Sequence, residues 1–141
     1  MNLEESPGVL SHKLAHALHV ELDRRLKVHG VTLSQWKILI YLWRREGRSQ
    51  VELQEQLGLE RATITGLLQR MCLQGWVLRR TDPDDRRVQR VFLTERGRAL
   101  EPVANSLVEE VNNQALEGFS ADEREFFIRL LMRALGNVEG S

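Results

Sequence analysis

The chain has a single cysteine, Cys72, among its 141 residues. A lone cysteine excludes an internal disulfide and a cysteine-based zinc cluster. The longest uninterrupted apolar run, residues 38–43, is far too short to cross a bilayer. The acidic start of the chain, MNLEESPG, has no apolar signal core, so we expect a cytoplasmic protein with no membrane partner.

Signatures of catalysis are also missing. The sequence contains no glycine-rich phosphate loop, no nucleophile elbow and no metal-hydrolase signature. We therefore expect no enzymatic activity, no catalytic residues and no cofactor.

The formal net charge is zero, but it is unevenly distributed. Residues 60–98 hold nine arginines against five acids, a net charge of +4, whereas residues 99–141 hold three arginines against eight acids, a net charge of −5. Segregation of this kind focuses a positive field on one segment even when the sum is zero. From charge alone, a mixed-charge surface without a partner is the alternative.

The basic segment has the pattern of a β-hairpin. Two strand-like runs, residues 77–81 and 88–94, flank the turn Asp82-Pro83-Asp84-Asp85, in which proline fixes one backbone angle and aspartate satisfies turn amides. Arginines lie on both sides of this turn: Arg79, Arg80, Arg86, Arg87 and Arg90. A hairpin so rich in arginine predicts an anionic partner.

Apolar residues at helical spacing predict six helices. They cover residues 9–29, 34–45, 50–57, 61–74, a long stretch from Thr94, and 121–135. Ser49 with Glu52 and Ser120 with Glu123 have the spacing of capping boxes. We expect fraying at residues 6–8, a kink or a later start of the long helix at Pro102, and an end of the last helix at Gly136.

The third and fourth helices, joined by a tight turn at Gly58, read as a helix-turn-helix. A helix-turn-helix followed by a basic hairpin is the winged arrangement that grips duplex DNA. The predicted fold class is mainly α with a small β-hairpin wing. We assign residues 34–94 to a winged helix-turn-helix head and residues 1–33 and 95–141 to a helical dimerisation region, within one compact domain.

The first helix and the last two carry more apolar surface than a small head needs. In the last helix, five apolar residues are expected to face inward: Phe127, Leu130, Leu131, Ala134 and Leu135. A homodimer is favoured over a monomer whose outer helices fold over the head, since reading successive grooves requires two heads about 34 Å apart.

The exposed face of the fourth helix holds the candidate DNA-reading residues: Arg61, Ala62, Thr63, Thr65, Gln69 and Arg70. Small residues let a helix enter the major groove, while hydroxyl, amide and guanidinium groups reach base edges or phosphates. A merely solvated face is the alternative, but the β-branched Thr63 and Thr65 are poor helix formers. Arg70 could instead brace the wing or the preceding helix.

Arg86 and Arg87 are the candidate DNA contacts in the wing, and a turn salt bridge to Asp84 or Asp85 is the alternative. Ser49 and Gln50 stand at the entry to the helix-turn-helix.

Two stretches of the chain resemble the MarR (multiple antibiotic resistance regulator) family. SQVELQEQLGLERATITGLLQRM is similar to that family's helix-turn-helix, and DPDDRRVQRVFLTERG to its wing. The resemblance covers about residues 10–135. It implies a homodimer that binds an inverted-repeat operator, that represses or sometimes activates nearby genes, and that a small aromatic or phenolic acid or an oxidant often releases.

The resemblance also implies residue roles. Arg87 would enter the minor groove with Asp85 helping to hold it, while Arg61, Thr63, Thr65 and Gln69 would lie in the major groove.

Two further features of the sequence could have a sensing or binding function, but each also has a simpler structural interpretation. His12, His16 and His19 could present three imidazoles to zinc, nickel or an acidic effector, but partly exposed polar residues beside a leucine stripe are the favoured explanation, so no metal is assigned. Cys72 could sense oxidants, although a lone thiol is more often a small apolar filler. The sequence does not identify the effector or its pocket.

The expected function is a sequence-specific transcriptional regulator, most often a repressor. The alternatives are an architectural DNA binder without sequence preference and a winged-helix module that binds an acidic protein. Salt-dependent affinity for duplex DNA discriminates between binding to DNA and binding to protein.

Overall fold

Six α-helices, one short 3-10 helix (Leu3–Glu5) and a three-stranded antiparallel sheet form the chain, which a computed structural model describes over residues 1–140. In chain order the elements are α1 (Pro7–Lys27), α2 (Leu33–Arg44), β1 (Arg48–Ser49), α3 (Gln50–Leu57), α4 (Arg61–Leu73), β2 (Val77–Thr81), β3 (Gln89–Leu93), α5 (Glu95–Ala115) and α6 (Ala121–Glu139). The predicted fold class, mainly α with a small β-hairpin wing, is confirmed.

Two predicted helix boundaries are wrong, and for the long helix the predicted start at Thr94 is confirmed while the alternative of a later start is wrong. Residues 6–8 are not frayed, because the Ser6 hydroxyl accepts a hydrogen bond from the amide of Val9 and Pro7 occupies the first helical position. The helix α5 begins directly after Thr94 and continues through Pro102, so it does not start later. The helix α6 continues past Gly136, which lacks the left-handed conformation that ends helices.

One predicted capping box is complete and the other is not. Ser120 and Glu123 exchange both hydrogen bonds at the start of α6. At the start of α3, Ser49 Oγ accepts from the amide of Glu52 at 3.0 Å, but the Glu52 carboxylate pairs with Arg45 at 3.0 Å instead of returning to Ser49. Glu52 therefore links α3 to the end of α2.

The sheet contains a strand that the sequence did not reveal. The strands lie in the order β1-β3-β2, and β1 pairs Arg48 with Val91 and Ser49 with Arg90. Two residues are too few to show alternation, so β1 left no pattern in the sequence. It joins the start of the helix-turn-helix to the wing.

One hydrophobic core lies between the head helices, the base of the hairpin and the inner halves of α1 and α5. Its fully buried large side chains are Leu26, Val31, Ile38, Leu39, Leu42, Leu53, Ile64, Leu68, Met71, Val77 and Val91. The outer helices contribute little to it. In residues 1–140, α6 has no buried residue, so the expectation that its apolar stripe faces inward is wrong for the single chain.

Phe127 of that stripe is half-buried, whereas Leu130, Leu131, Ala134 and Leu135 are exposed. Over the described part of the chain, no helix has both the length and the apolar character needed to cross a bilayer.

The start of α5 lies directly against the base of the hairpin. At Gly97, an added Cβ would lie 2.1 Å from the carbonyl oxygen of Trp76. The Thr94 hydroxyl donates to the carbonyl of Gly75 at 2.6 Å, and Trp43 Nε1 donates to the carbonyl of Gly97 at 2.9 Å. The missing side chain at residue 97 therefore lets α2, the hairpin and α5 meet at one point.

Glu46, in the loop after α2, stabilises the same junction by charged hydrogen bonds to β3 and α5. Its carboxylate accepts two hydrogen bonds from the guanidinium of Arg98, at 3.0 and 3.1 Å, and one from the amide of Leu93 at 2.9 Å. The Arg98 guanidinium, with the Leu93 amide, holds the pKa of Glu46 below its ordinary value against the opposing effect of burial.

We expect Gly97→Ala to destabilise the chain by about 1–3 kcal/mol or more, because the methyl group would overlap the Trp76 carbonyl, which is backbone, and would also crowd the Leu93 side chain. Gly66→Ala is the matched control: it lies inside α4, nothing lies within 4 Å of the added Cβ, and helix propensity predicts a gain of about 0.5–1 kcal/mol. Urea unfolding followed by circular dichroism measures both. Equal effects of the two changes would contradict the close packing at Gly97.

We expect Glu46→Gln to lower the free energy of unfolding by about 1 kcal/mol at pH 7. We also expect the free energy of unfolding of this variant to fall less steeply than that of the wild type as the pH is lowered. Because the pKa of Glu46 is lower in the folded chain, its stabilisation is present above the unfolded pKa of about 4.3 and is lost as the pH falls through the folded pKa. Unfolding at a series of pH values tests this. Glu55→Gln is the control, because Glu55 is exposed and forms no ion pair among residues 1–140. This variant should follow the wild-type curve of unfolding free energy against pH.

Candidate nucleic-acid interface

The helix α4 presents one polar face to solvent. Arg61, Ala62, Thr63, Gln69 and Arg70 are exposed. The opposite face buries Ile64, Leu68 and Met71 in the core, which fixes the rotation of the helix. The sequence prediction thus gave the correct outward face for these five residues.

The tight turn before α4 depends on Gly58, which adopts the left-handed conformation with φ 64°. Glu60, the N-cap residue, makes no side-chain capping bond within the described chain, so the first-turn amides of α4 have no side-chain partner. Free amides and a helix dipole at this position favour a phosphate.

Thr65 differs from its neighbours because its hydroxyl already has two partners within the protein. It donates to the carbonyl of Arg61 at 2.8 Å and accepts from Gln50 Nε2 at 2.7 Å. This pair joins the first residue of α3 to the middle of α4. In this structure, Thr65 and Gln50 therefore brace the two helices against each other.

The wing tip is built from two aspartates. Asp82 Oδ1 accepts from the amides of Asp84 and Asp85, at 2.7 and 3.3 Å, and so shapes the turn. Asp85 in turn accepts from the backbone amide of Arg87 at 3.1 Å and from its guanidinium at 3.0 and 3.1 Å. These hydrogen bonds from Arg87 lower the pKa of Asp85.

The side chains of both tip arginines remain available. The Arg87 side chain is 91% exposed although it is paired with Asp85, so the pair aims the guanidinium without covering it. Arg86 is also exposed, and within residues 1–140 it forms no ion pair with Asp84 or Asp85. The salt-bridge alternative thus describes Arg87 and not Arg86.

A groove separates the wing from the helix-turn-helix. It is lined by Ser49, Gln50, Val51, Gln54, Arg61, Arg87, Val88 and Gln89. The groove brings together the wing arginine, the first residue of α4 and the two residues at the helix-turn-helix entry. Guanidinium groups on both walls suit a phosphodiester strand between them.

The other three hairpin arginines have different surroundings. Arg80 is exposed, with its guanidinium 5.3 Å from the centre of the Phe92 ring, and Arg79 is half-buried. Arg90 turns inward to Asp82 and the carbonyl of Gly47. The count of arginines in the sequence therefore overstated the free positive charge of the wing at Arg90, whose charge Asp82 matches.

The guanidinium of Arg70 is not paired with an acidic side chain of the described residues. Nothing in the described part of the chain pairs with its guanidinium, so the structure gives no support to a bracing role.

The histidine stripe and Cys72 lie away from this surface. His12, His16 and His19 are exposed on α1, and burial, with Lys37 and His16 nearby, lowers the pKa of His19. Across residues 1–140, no three histidine, cysteine or acidic side chains cluster as a metal site would require. Cys72 is half-buried against the core.

The sequence missed the contacts of Arg90 with Asp82 and Glu52 and the Gln50–Thr65 pair. The prediction that aspartate satisfies the amides of the turn is confirmed for Asp82. The partners of Arg90 and Thr65 come from other elements, so no local signal reported them.

Comparison with known proteins agrees with this geometry. Residues 31–88 match the MarR family. The HTH-type transcriptional regulator TtmR of Methylorubrum extorquens (strain PA1) is 36% identical over 110 residues, which is 78% of this chain but only 55% of that protein. The uncharacterized HTH-type transcriptional regulator YybA of Bacillus subtilis (strain 168) is 26% identical over 126 residues, 89% of this chain and 84% of that protein. The chain thus spans about half the length of TtmR.

A solved structure matches nearly the whole fold. Wild-type MarR from E. coli, in its apo form, superposes with a TM-score of 0.86 at 27% identity, covering 92% of this chain and 96% of that one. Because both the sequence of the head and the arrangement of the helices agree, the chain belongs to the MarR family of transcriptional regulators.

Proposed function

We propose that this regulator binds duplex DNA as a homodimer, recognises an inverted-repeat operator and represses the adjacent genes. The observation that carries the proposal is the groove between α4 and the wing, with Arg61 on one wall and Arg87 on the other. A strand of DNA in this groove would have the major groove on the α4 side and the minor groove on the wing side.

Each side of the groove has its own role in this proposal. Thr63 and Gln69 reach base edges from α4, while Ala62 permits close approach and Thr65 holds the helix in place. Arg61 and Arg70 contact phosphates at either end of the helix. From the wing, Arg87 enters the minor groove and Arg86 contacts the flanking phosphate. Ser49 and Gln50 approach the backbone from the entry.

Dimerisation is inferred from apolar surface that the single chain leaves open. Exposed apolar residues of the outer helices include Leu10 and Leu14 of α1 and Leu130, Leu131, Leu135 and Val138 of α6. Exposed apolar surface of this kind marks an interface. A two-fold axis through these helices would present two heads to half-sites about 34 Å apart.

An effector is part of the proposal. We infer that a small aromatic or phenolic acid binds between the dimerisation helices and the head and releases the DNA. Two imidazoles are available on that side: His16 and His19 line a surface groove where α1 meets the start of α2, in which Lys27 is paired with Asp23 at 2.8 Å. Such a ligand weakens DNA binding only if it prefers a head spacing that does not fit the operator.

Selection from fragmented genomic DNA with the purified protein tests the function directly. At physiological salt, recovery of a short inverted repeat supports the proposal and supplies the operator. Recovery of random or merely AT-rich DNA would indicate an architectural binder. Affinity that does not fall with salt would indicate a module that binds protein, because phosphate contacts release counterions.

We expect Arg87→Ala to weaken operator binding about tenfold to a hundredfold and to reduce the slope of log K against log salt by about 1, because one cationic contact is lost. Fluorescence anisotropy at several salt concentrations measures both quantities. Lys13→Ala, an equal loss of charge on the exposed face of α1, is the control and should leave both nearly unchanged. An unaltered affinity for Arg87→Ala, with normal helical content, would refute the contact.

We expect Leu131→Glu to convert the dimer to monomer and to abolish binding to the full inverted repeat, because a charge at an apolar interface remains unpaired. Met132→Glu is the matched control, since Met132 is also exposed and apolar but lies off the stripe of α6. Sedimentation and operator binding test both variants. A Leu131→Glu protein that stays dimeric would contradict this interface.

A further inference from the structure

Arg90 lies in the basic hairpin but faces the protein. Its Nε donates to Asp82 Oδ2 at 2.5 Å, its Nη1 donates to the carbonyl of Gly47 at 2.9 Å, and the same nitrogen lies 3.9 Å from Glu52 Oε1. These three partners, two hydrogen-bond acceptors and one ion-pair partner, belong to the wing turn, to the loop after α2 and to the first turn of α3. One planar guanidinium therefore spans three parts of the head.

The contact continues to the tip of the wing. Asp82, held by Arg90, accepts the amides of Asp84 and Asp85 through its other oxygen. The carboxylate of Asp85 then holds the amide and guanidinium of Arg87. A continuous series of polar contacts thus runs from the helix-turn-helix to the exposed wing arginine.

The charges around Arg90 cancel. Asp82 and Glu52 face it, Asp84 acts on it at longer range, and Glu52 also pairs with Arg45 at 3.0 Å, so carboxylates match the charges of both guanidinium groups. A neutral cluster adds little attraction for phosphates at a distance. Arg90 is therefore poorly placed to act on DNA through its own charge.

The wing benefits from such a connection because its sheet is narrow near the tip. Beyond Thr81 and Gln89, the last pair between β2 and β3, one further bond from the amide of Asp82 to the carbonyl of Val88 closes the turn, and β1 supports β3 only at Arg90 and Val91. A two-stranded ribbon twists easily when nothing else supports it. The hydrogen bonds from Arg90 to Asp82 and Gly47 fix the direction of this ribbon.

We propose that Arg90 is a positioning residue for DNA recognition: through Asp82, Gly47 and Glu52 it fixes the wing relative to the helix-turn-helix, and so determines where Arg87 meets the DNA. The proposal rests on the DNA-binding function proposed above. It makes Arg90 essential for the fit of the operator without any contact between Arg90 and the nucleic acid.

Two variants separate positioning from electrostatics. Arg90→Lys keeps the charge but loses the planar fork that joins Asp82 to Gly47. Asp82→Asn removes a negative charge near the DNA, which by itself favours binding, yet it places an amide or a neutral oxygen opposite Arg90 Nε. Asp84→Asn is the matched control: it removes the same charge two residues away, and within residues 1–140 the Asp84 side chain forms no ion pair.

The probe is the duplex recovered by selection with the wild-type protein, titrated by fluorescence anisotropy at several salt concentrations. We expect Arg90→Lys and Asp82→Asn each to weaken binding about tenfold, of the order of one lost contact. Asp84→Asn should bind as tightly as the wild type or slightly tighter. In an Arg87→Ala background, Asp82→Asn and Arg90→Lys should add little, because they act through Arg87.

Opposite results overturn the proposal. Wild-type affinity for both variants, or losses that add fully to that of Arg87→Ala, would show that Arg90 does not position the wing. Thermal unfolding and sedimentation confirm that each variant is folded and dimeric. If Asp82→Asn unfolds, Arg90→Lys carries the same comparison alone. If the wild type shows no salt-dependent binding to any duplex, the proposed function fails and this inference fails with it.

Discussion

The close approach of α5 to the backbone of Trp76 is the constraint on which the rest of the structure depends. Only glycine at residue 97 allows it, because a Cβ would lie 2.1 Å from a carbonyl oxygen. Around this contact, the Thr94 hydroxyl, the Trp43 indole and the Arg96 guanidinium, 4.1 Å over the Trp76 ring, all connect different elements. The end of α4, the hairpin and the start of α5 therefore move as one body, and the direction in which α5 leaves the head is fixed.

The arginines of the head fall into two groups with different roles. Arg90 and Arg98 are matched by carboxylates and hold backbone segments together, whereas Arg61, Arg70 and Arg86 have no acidic partner in the described chain and Arg87 is only aimed by one. Hydrogen bonds from these arginines lower the pKa values of Asp82, Asp85 and Glu46, so all three carboxylates stay ionised at neutral pH. The paired group shapes the surface that the free group makes attractive to phosphate.

Local signals made most of this architecture predictable, and non-local contacts account for what was missed. The capping residues, the glycine turns and the apolar stripes specified α3, α4 and β2 almost to the residue, because each signal lies within its own element. The exposed face of α4 followed from the same periodicity. The two-residue strand β1, the inward turn of Arg90 and the engagement of Thr65 by Gln50 depend on partners up to 43 residues away. Periodicity does not report such partners.

The geometry of α5 limits how any signal from the outer helices can reach the DNA-reading surface. Its 21 residues span about 30 Å, from the fixed contact at Gly97 to the region where Arg25 of α1 bonds to Glu110 and Gln114. Because one end is locked to the head, a shift between the outer helices of the proposed homodimer would move each head as a unit and would change the distance between the heads. Rearrangements within one head are restricted, because Arg90 holds the wing and the hydrophobic core holds α4. An effector would therefore act on the spacing of the two heads, and its influence would equal the difference in its affinity for the two spacings.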